Sequence, residues 1–333
     1  MSNFKTVGVI TLAILTFLVS FFNAQKYIAQ CITNLKKQTN SEFLCILVDD
    51  GSRDESFEIA KKEIDGDKRF SIIKHEKNLG PGAGRITGIE NTKTDFLTFI
   101  DADDEIQPDA AEIIISNIIT QNADLYVYDY FQKSEQGKVE LVSGQTDSVN
   151  QLFKDNDKRI SHVWHKVYKT KIIKCIDLSF CKTISFAEDL YLCIKVFLAS
   201  KSIILINKTY YSYIYNSESL VHSRTEKSIR ENINVLKELL SDDDIKKNPV
   251  IEKYLQYDSY HAFGQLIFPN KKNHFQWEKP HFCEWRKIDE EIKIFIPKNI
   301  SIFVRFYLNL IKQKHDFTAF ILWSILKFKE LFK

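Results

Sequence analysis

The stretch Phe96-Leu97-Thr98-Phe99-Ile100-Asp101-Ala102-Asp103-Asp104 is an apolar run that ends abruptly in three carboxylates. Its first five residues leave no room for solvent, so it reads as a buried strand, and charge enters only where the chain leaves the sheet. In an open α/β sheet, that carboxyl end is where ligands bind. Asp101 and Asp103, two residues apart, can turn oxygen ligands toward one point. Hard cations such as Mg²⁺ or Mn²⁺ accept carboxylate oxygen and keep substrate phosphates as further ligands. A plain polar turn after a strand is the competing reading.

Working outward, the same theme occurs earlier, where Val48-Asp49-Asp50-Gly51-Ser52 closes a second apolar run. Strands are expected over residues 14–20, 43–48, 70–74 and 96–100, and helices over 24–38, 55–65 and 82–91 alternate with them. This βαβα order implies an α/β fold with a mainly parallel sheet and right-handed crossovers. Ser52 and Glu55 have the spacing of a capping box. A further helix starts at Pro108-Asp109 and runs to 120, a strand covers 125–130, and a loop or hairpin covers 132–149. From about Ile229 the pattern is helical, interrupted at Asp242-Asp243-Asp244, which reads as a solvated turn. Residues 7–22 are nearly all apolar but shorter than the ~20 residues a spanning helix needs, and they read mainly as the first buried strand, around residues 14–20, with membrane insertion the lesser alternative.

A chain of 333 residues can hold one large α/β domain and an appendage. The expected division is an α/β domain over 1–225 and a helical region over 226–333 that meets a second subunit or a membrane surface. A net charge of +2 argues against nucleic acid as the main partner. The six cysteines include no CxxC pair, which favours reduced thiols and the cytosol. Residues 301–333 mix Phe, Leu and Ile with Arg305, Lys312, Lys314, Lys327, Lys329 and Lys333, a composition that suits an interfacial basic helix or a helix pair packed on protein. Localisation is therefore expected to be cytoplasmic, with peripheral attachment to the inner membrane surface open, as is a homo-oligomer.

Two parallel strands thus present acids at one edge. An aspartate such as Asp50 can accept the imide N–H of a uracil ring. Asn78-Leu79-Gly80-Pro81-Gly82-Ala83-Gly84-Arg85 is a glycine-rich turn opening a helix, which could bring backbone N–H groups and a guanidinium to a diphosphate. It lacks the Lys-Ser/Thr end of a P-loop.

The ordered set Ser20-Phe21-Phe22-Asn23-Ala24, Val48-Asp49-Asp50-Gly51-Ser52, Asn78-Leu79-Gly80 with Arg85, and Asp101-Ala102-Asp103-Asp104 resembles the inverting family 2 glycosyltransferases of the GT-A fold. The likeness continues in Trp164-His165-Lys166-Val167-Tyr168, Phe186-Ala187-Glu188-Asp189-Leu190, and Tyr210-Tyr211-Ser212-Tyr213 followed by Ser217-Glu218-Ser219-Leu220-Val221-His222, and so spans about residues 12–225. The resemblance implies that Asp50 binds uracil beside Phe22 and Asn23, and that Gly80, Arg85, Asp101 and Ala102 line the nucleotide or its diphosphate. It implies a Mn²⁺ or Mg²⁺ site at Asp101 and Asp103, the latter the more direct ligand, completed by His222. Asp189 would be the general base, and Glu188 would orient it or the acceptor. The implied donor is a UDP-sugar, and the implied acceptor a glycan, glycolipid or glycoprotein.

The chain departs from the family at Phe22, which stands for the usual Tyr, at Ile86, where many relatives have Asn, and at His165, which stands for Asn. None of these removes an acid that the chemistry needs. A nucleotidyltransferase would carry a glycine-rich loop in the first strand-to-helix turn, where this chain has Phe21-Phe22-Asn23-Ala24. A non-catalytic sugar-nucleotide-binding protein or membrane-surface scaffold is the remaining alternative.

Overall fold

The structure, a computed structural model, describes residues 13–144, 148–216 and 225–267, together with residue 313. The chain divides into two compact units, Met1–Ser217 and Glu218–Lys333.

In the first unit the elements follow in the order β1 (Leu15–Phe21), α1 (Ile28–Lys36), β2 (Phe43–Asp49), α2 (Ser56–Glu63), β3 (Phe70–Lys74), α3 (Pro81–Asn91), β4 (Phe96–Asp101), β5 (Glu105–Ile106) and α4 (Ala110–Thr120). They continue as β6 (Leu125–Lys133), β7 (Val139–Val142), α5 (Val149–Asp155), β8 (Lys166–Lys169), α6 (Thr170–Lys174), α7 (Glu188–Ala199) and β9 (Ile203–Ile214). The described strands form one sheet in the order β3-β2-β1-β4-β8-β6-β9-β5, with β7 paired to β6.

Through β3-β2-β1-β4 every pairing is parallel, as the alternation of strands and helices requires. Beyond β4 the sheet is mixed, because β8 runs antiparallel to both β4 and β6, whereas β9 is parallel to β6. β1 and β4 are buried along almost their whole length, with Phe17, Val19, Leu97 and Phe99 among the core residues. Charge is excluded until the strands end. Ser20 of β1 aligns with Asp101 of β4, and Phe21 with Asp49 of β2, so both sets of acids emerge at one edge on either side of β1.

Helix α3 lies against this parallel half because Gly84 permits it. A Cβ at Gly84 would stand 2.1 Å from the Ser20 hydroxyl oxygen. That close approach sets the next residue, Arg85, beneath the acidic edge.

Two local expectations change. Residues 24–27 form a turn, with the Tyr27 and Ile28 N–H groups both donating to the Ala24 carbonyl, so α1 starts at Ile28. The Ser52–Glu55 capping box does not form. Ser52 Oγ accepts the Asn23 N–H at 2.9 Å, and α2 opens at Ser56, whose N–H donates to the Asp54 carboxylate at 3.0 Å. The expected hairpin within 132–149 is the β6–β7 pair, closed by a turn in which the Gly137 N–H donates to the Ser134 carbonyl.

The second unit is helical where it is described, with α8 (Glu226–Ser241), α9 (Asp243–Lys246) and α10 (Pro249–Ile267). Thr225 and Ser228 form a reciprocal capping box at the start of α8. Asp242 caps the short α9 by accepting the Asp244 N–H, which gives the acidic run its local role. Among the described residues, no helix is long and apolar enough to cross a membrane. The basic segment 301–333 lies outside the described residues apart from residue 313, and Cys283 lies outside them as well.

Candidate active site

The first carboxylate pair is anchored rather than exposed. Asp49 Oδ1 accepts the Ser52 N–H at 3.0 Å, and Lys74 Nζ stands 3.8 Å from Oδ2. Asp50 is 2% exposed and takes three donors: the Leu79 N–H at 2.9 Å, the Gly80 N–H at 2.8 Å and His75 Nδ1 at 2.7 Å. Gly80 holds φ +95°, a conformation open mainly to glycine, and this aims its N–H at the carboxylate. Asp50 therefore organises the glycine-rich turn, and a base would have to use what acceptor capacity remains. Asn23 acts as a clasp at φ +50°, its side-chain oxygen accepting the Arg53 N–H at 2.9 Å. Beside these loops, the apolar side chains of Phe22 and Leu79 are 41% and 45% exposed. Phe22 was legible in the sequence, whereas Leu79 carried no signal beyond its place before Gly80.

The second acid run divides by role. Asp104 is buried, accepting the Tyr211 hydroxyl at 2.6 Å and the Ile214 N–H at 2.7 Å. The same Tyr211 oxygen accepts the Asp101 N–H at 3.1 Å, so one tyrosine of β9 ties down both ends of the run. Burial and the neighbouring Asp101 and Asp103 charges push Asp104 well above the ordinary carboxylate range. Asp103 is half-buried, with Oδ2 accepting the Asn216 side-chain amide at 2.9 Å. Ala102 between them is buried. Sequence reasoning gave Asp104 no role, and its partners on the tyrosine strand were the signal available.

Arg85 joins this edge to the two acids that open α7. Its guanidinium lies 2.6 Å from Glu188 Oε1, 2.7 Å from Asp189 Oδ1 and 3.4 Å from Asp101 Oδ1. The expected position near the diphosphate is thus refined by geometry, since both terminal nitrogens face carboxylates. Burial raises Asp101 to about 6, opposed by Arg85 and reinforced by Asp189 and Asp103. Burial and the Asp189 charge likewise raise Glu188 to about 7 against the pull of Arg85. The three carboxylates in turn hold the Arg85 pKa well above its ordinary value despite burial.

Ala187 immediately before these acids is left-handed, at φ +64° and ψ +16°. An L-residue there costs roughly 1–2 kcal/mol, and glycine returns part of that in chain entropy. Ala187→Gly should therefore raise stability by about 0.5–1 kcal/mol in urea unfolding. A loss of stability would show that the alanine methyl contributes packing that outweighs the backbone strain.

Beneath the acids, Trp164 is buried and stacks on Tyr211 at 4.5 Å, on His162 at 5.1 Å and on Tyr213 at 5.7 Å between centroids. Lys166 is fully buried, donating to the carbonyls of Arg159, at 2.6 Å, and His162, and burial lowers it to about 8. His165 Nδ1 lies 2.9 Å from the Tyr128 carbonyl oxygen. Of the three, Trp164 is tied to the acid run, through its stack on Tyr211.

The donor set fits a divalent cation bound with substrate oxygens. Among the described residues, no three His, Cys, Asp or Glu side chains form a ready metal cage. Yet Asp101, Glu188 and Asp189 face one guanidinium, and repulsion from Asp189 contributes to the raised values of both Asp101 and Glu188, with Asp103 adding to that of Asp101. Mg²⁺-like ions are commonly held by one or two carboxylates plus phosphates. His222, the third expected ligand, lies outside the described residues.

The glycosyl transferase family 2 model matches residues 16–177. The chain is 28% identical over 241 residues to glycosyltransferase GlyA of Streptococcus pneumoniae, covering 68% of this chain and 34% of that protein. It is 30% identical over 223 residues to the putative glycosyltransferase EpsH of Bacillus subtilis, covering 64% of each. It is 26% identical over 200 residues to the poly(ribitol-phosphate) beta-N-acetylglucosaminyltransferase TarS of Staphylococcus aureus, covering 58% of this chain and 34% of TarS. The crystal structure of S. aureus TarS 1–349 with UDP-GlcNAc matches with a TM-score of 0.68 at 18% identity, covering 94% of this chain and 91% of that one. The chain thus spans between a third and under two thirds of these curated relatives. The sheet, the flanking helices and this match give the GT-A fold, and the family match identifies residues 16–177 as a glycosyl transferase family 2 domain.

Proposed function

We propose that the chain is a metal-dependent inverting glycosyltransferase that moves a hexose or N-acetylhexosamine from a UDP-sugar to a hydroxyl of a growing surface glycan, lipid-linked or on a glycoprotein, forming a β-linkage in a single displacement. The observation that carries this is the convergence on Arg85 of the acid that ends β4 and the two acids that open α7. Inversion needs a base on the face opposite the leaving diphosphate. A sheet-edge acid and helix-borne acids set about one guanidinium are suited to those two sides.

In this proposal Asp189 takes the acceptor hydroxyl proton, and Glu188 orients it through their shared guanidinium. Phe22 and Leu79 cover the uracil, and Asp50 accepts its imide N–H. Asp101 and Asp103 would hold a divalent cation, which supplies neutralisation of charge on the leaving diphosphate when bound. The named activity of TarS and the UDP-GlcNAc in its structure support a UDP-N-acetylhexosamine donor and a cell-surface polymer as acceptor. In the same proposal the helices after residue 225 serve the acceptor side.

The experiment is release of UDP from a panel of UDP-sugars with Mn²⁺ and with EDTA, alongside calorimetry with UDP. Asp103→Asn should abolish metal-dependent UDP binding with little change in stability, since it exchanges one half-buried carboxylate oxygen for an amide. Retained binding would remove Asp103 from the metal site. UDP binding without release from any sugar, with or without acceptor glycans, would favour the non-catalytic alternative.

A further inference from the structure

His75 follows the last residue of β3, and its N–H donates to the Asp49 carbonyl at 2.9 Å, which fixes it at the same sheet edge as the acids. Its ring bridges two elements. Nδ1 lies 2.7 Å from Asp50 Oδ1, and Nε2 lies 2.9 Å from the Thr87 hydroxyl on α3. Both side chains of the pair are secluded, at 11% exposure for His75 and 3% for Asp50.

The proton positions follow from chemistry. The Asp50 carboxylate already receives two backbone N–H groups, so it acts as the acceptor and Nδ1 carries the proton. A neutral ring then has its lone pair on Nε2, and the Thr87 hydroxyl, able to donate, matches that tautomer. An ionised carboxylate offers about four acceptor positions. His75 and Leu79 occupy both on Oδ1, and Gly80 occupies one on Oδ2. One position on Oδ2 remains.

We propose that His75 is a positioning residue for base recognition: it saturates Oδ1 of Asp50 so that the single remaining acceptor position, on Oδ2, is presented to the imide N–H of uracil. This rests on the donor being a uridine nucleotide bound at Asp50. Without the imidazole, Oδ1 regains a free lone pair, water or rotation of the carboxylate competes for the imide, and discrimination at the base weakens. The arrangement is absent from simple spacing rules because His75 lies 25 residues from Asp50 and 12 from Thr87.

The test uses the full chain, Mn²⁺, and two probes, UDP and its N3-methyl derivative, which lacks the imide proton. Two variants separate position from bulk. His75→Asn places an amide nitrogen where Nδ1 stands and keeps the donor to Asp50, whereas His75→Gln is closer in size but reaches toward Thr87 and leaves Asp50 unpaired on that side. Calorimetry is expected to give His75→Gln about tenfold weaker UDP binding, with a smaller preference for UDP over the methylated probe, and His75→Asn close to wild type on both counts. A merely structural role predicts the opposite order, since Asn leaves the larger void. Equal affinities in both variants and wild type, or greater damage in His75→Asn, overturn the role of His75. Wild-type protein that fails to bind UDP, or that binds both probes equally, overturns the base-recognition reading itself and His75's role with it. Thermal melts of both variants confirm that folded protein is compared, and Thr87→Val, which removes only the hydroxyl partner, should show a smaller loss in the same direction as His75→Gln.

Discussion

Asp189→Asn is expected to keep UDP affinity within about twofold while lowering sugar transfer by about 10²–10⁴-fold, the usual range for loss of a positioned acid–base group. The substitution changes charge and basicity but almost no volume. Arg85 keeps its contacts with Glu188 and Asp101, so the edge that would hold the donor is left in place. Asp189 Oδ1 is buried, lies 2.7 Å from the Arg85 terminal nitrogen, and has no hydrogen-bond partner along an N–H direction. That leaves Oδ1 held by charge rather than by a directed bond, while the carboxylate as a whole keeps 20% exposure, room for a hydroxyl to approach it. UDP release in the presence of acceptor, compared with calorimetric UDP affinity, separates the two effects. Near-normal turnover would rule Asp189 out as the base.

Arg85→Met should destabilise the first unit by about 3–5 kcal/mol, because removing one member of a buried ionic cluster leaves the others uncompensated. Three carboxylates face the guanidinium, and Arg85 is only 9% exposed, so water cannot replace it well. The double variant with Glu188→Gln should recover part of the loss, since one of the stranded charges is then absent. Urea unfolding of the single and double variants measures both. A loss under about 1 kcal/mol would mean that the acids relax toward solvent and that Arg85 contributes little to holding them.

The parallel half of the sheet was legible because physics writes it locally: apolar runs long enough for a strand, β2 and β4 closed by acids, with helical patterns between them. The same property made Asp101 and Asp103 visible, whereas Glu188 and Asp189 stood out only through the resemblance of their segment to the family's Glu-Asp motif. What local spacing could not show were partnerships across long separations. Arg85 meets Glu188 across 103 positions, and Tyr211 meets Asp104 across 107. Competition also decided the missed cap, because the Ser52 hydroxyl is taken by Asn23 from the neighbouring loop, leaving Asp54 to start α2. β8 passed unnoticed as a strand because its four residues lie within a motif read for its Trp and Lys, and so short a run gives no periodicity. β5, with two residues, exists only through its pairing to β9.

That late strand also bears on how the molecule is made. β9 pairs in parallel with β6 although β7, α5, β8, α6 and α7 come between them, and parallel pairings of distant segments are slow to form. On a ribosome, β1 to β4 can assemble as their residues emerge, but Asp104 has no Tyr211 to accept from until the chain has been synthesised past Ile214. A nascent chain stalled before that point leaves the β9-facing edge of β6 bare, open to wrong partners. A chaperone that shields β6 until β9 arrives should therefore raise the yield of folded protein more than one that acts on the N-terminal strands.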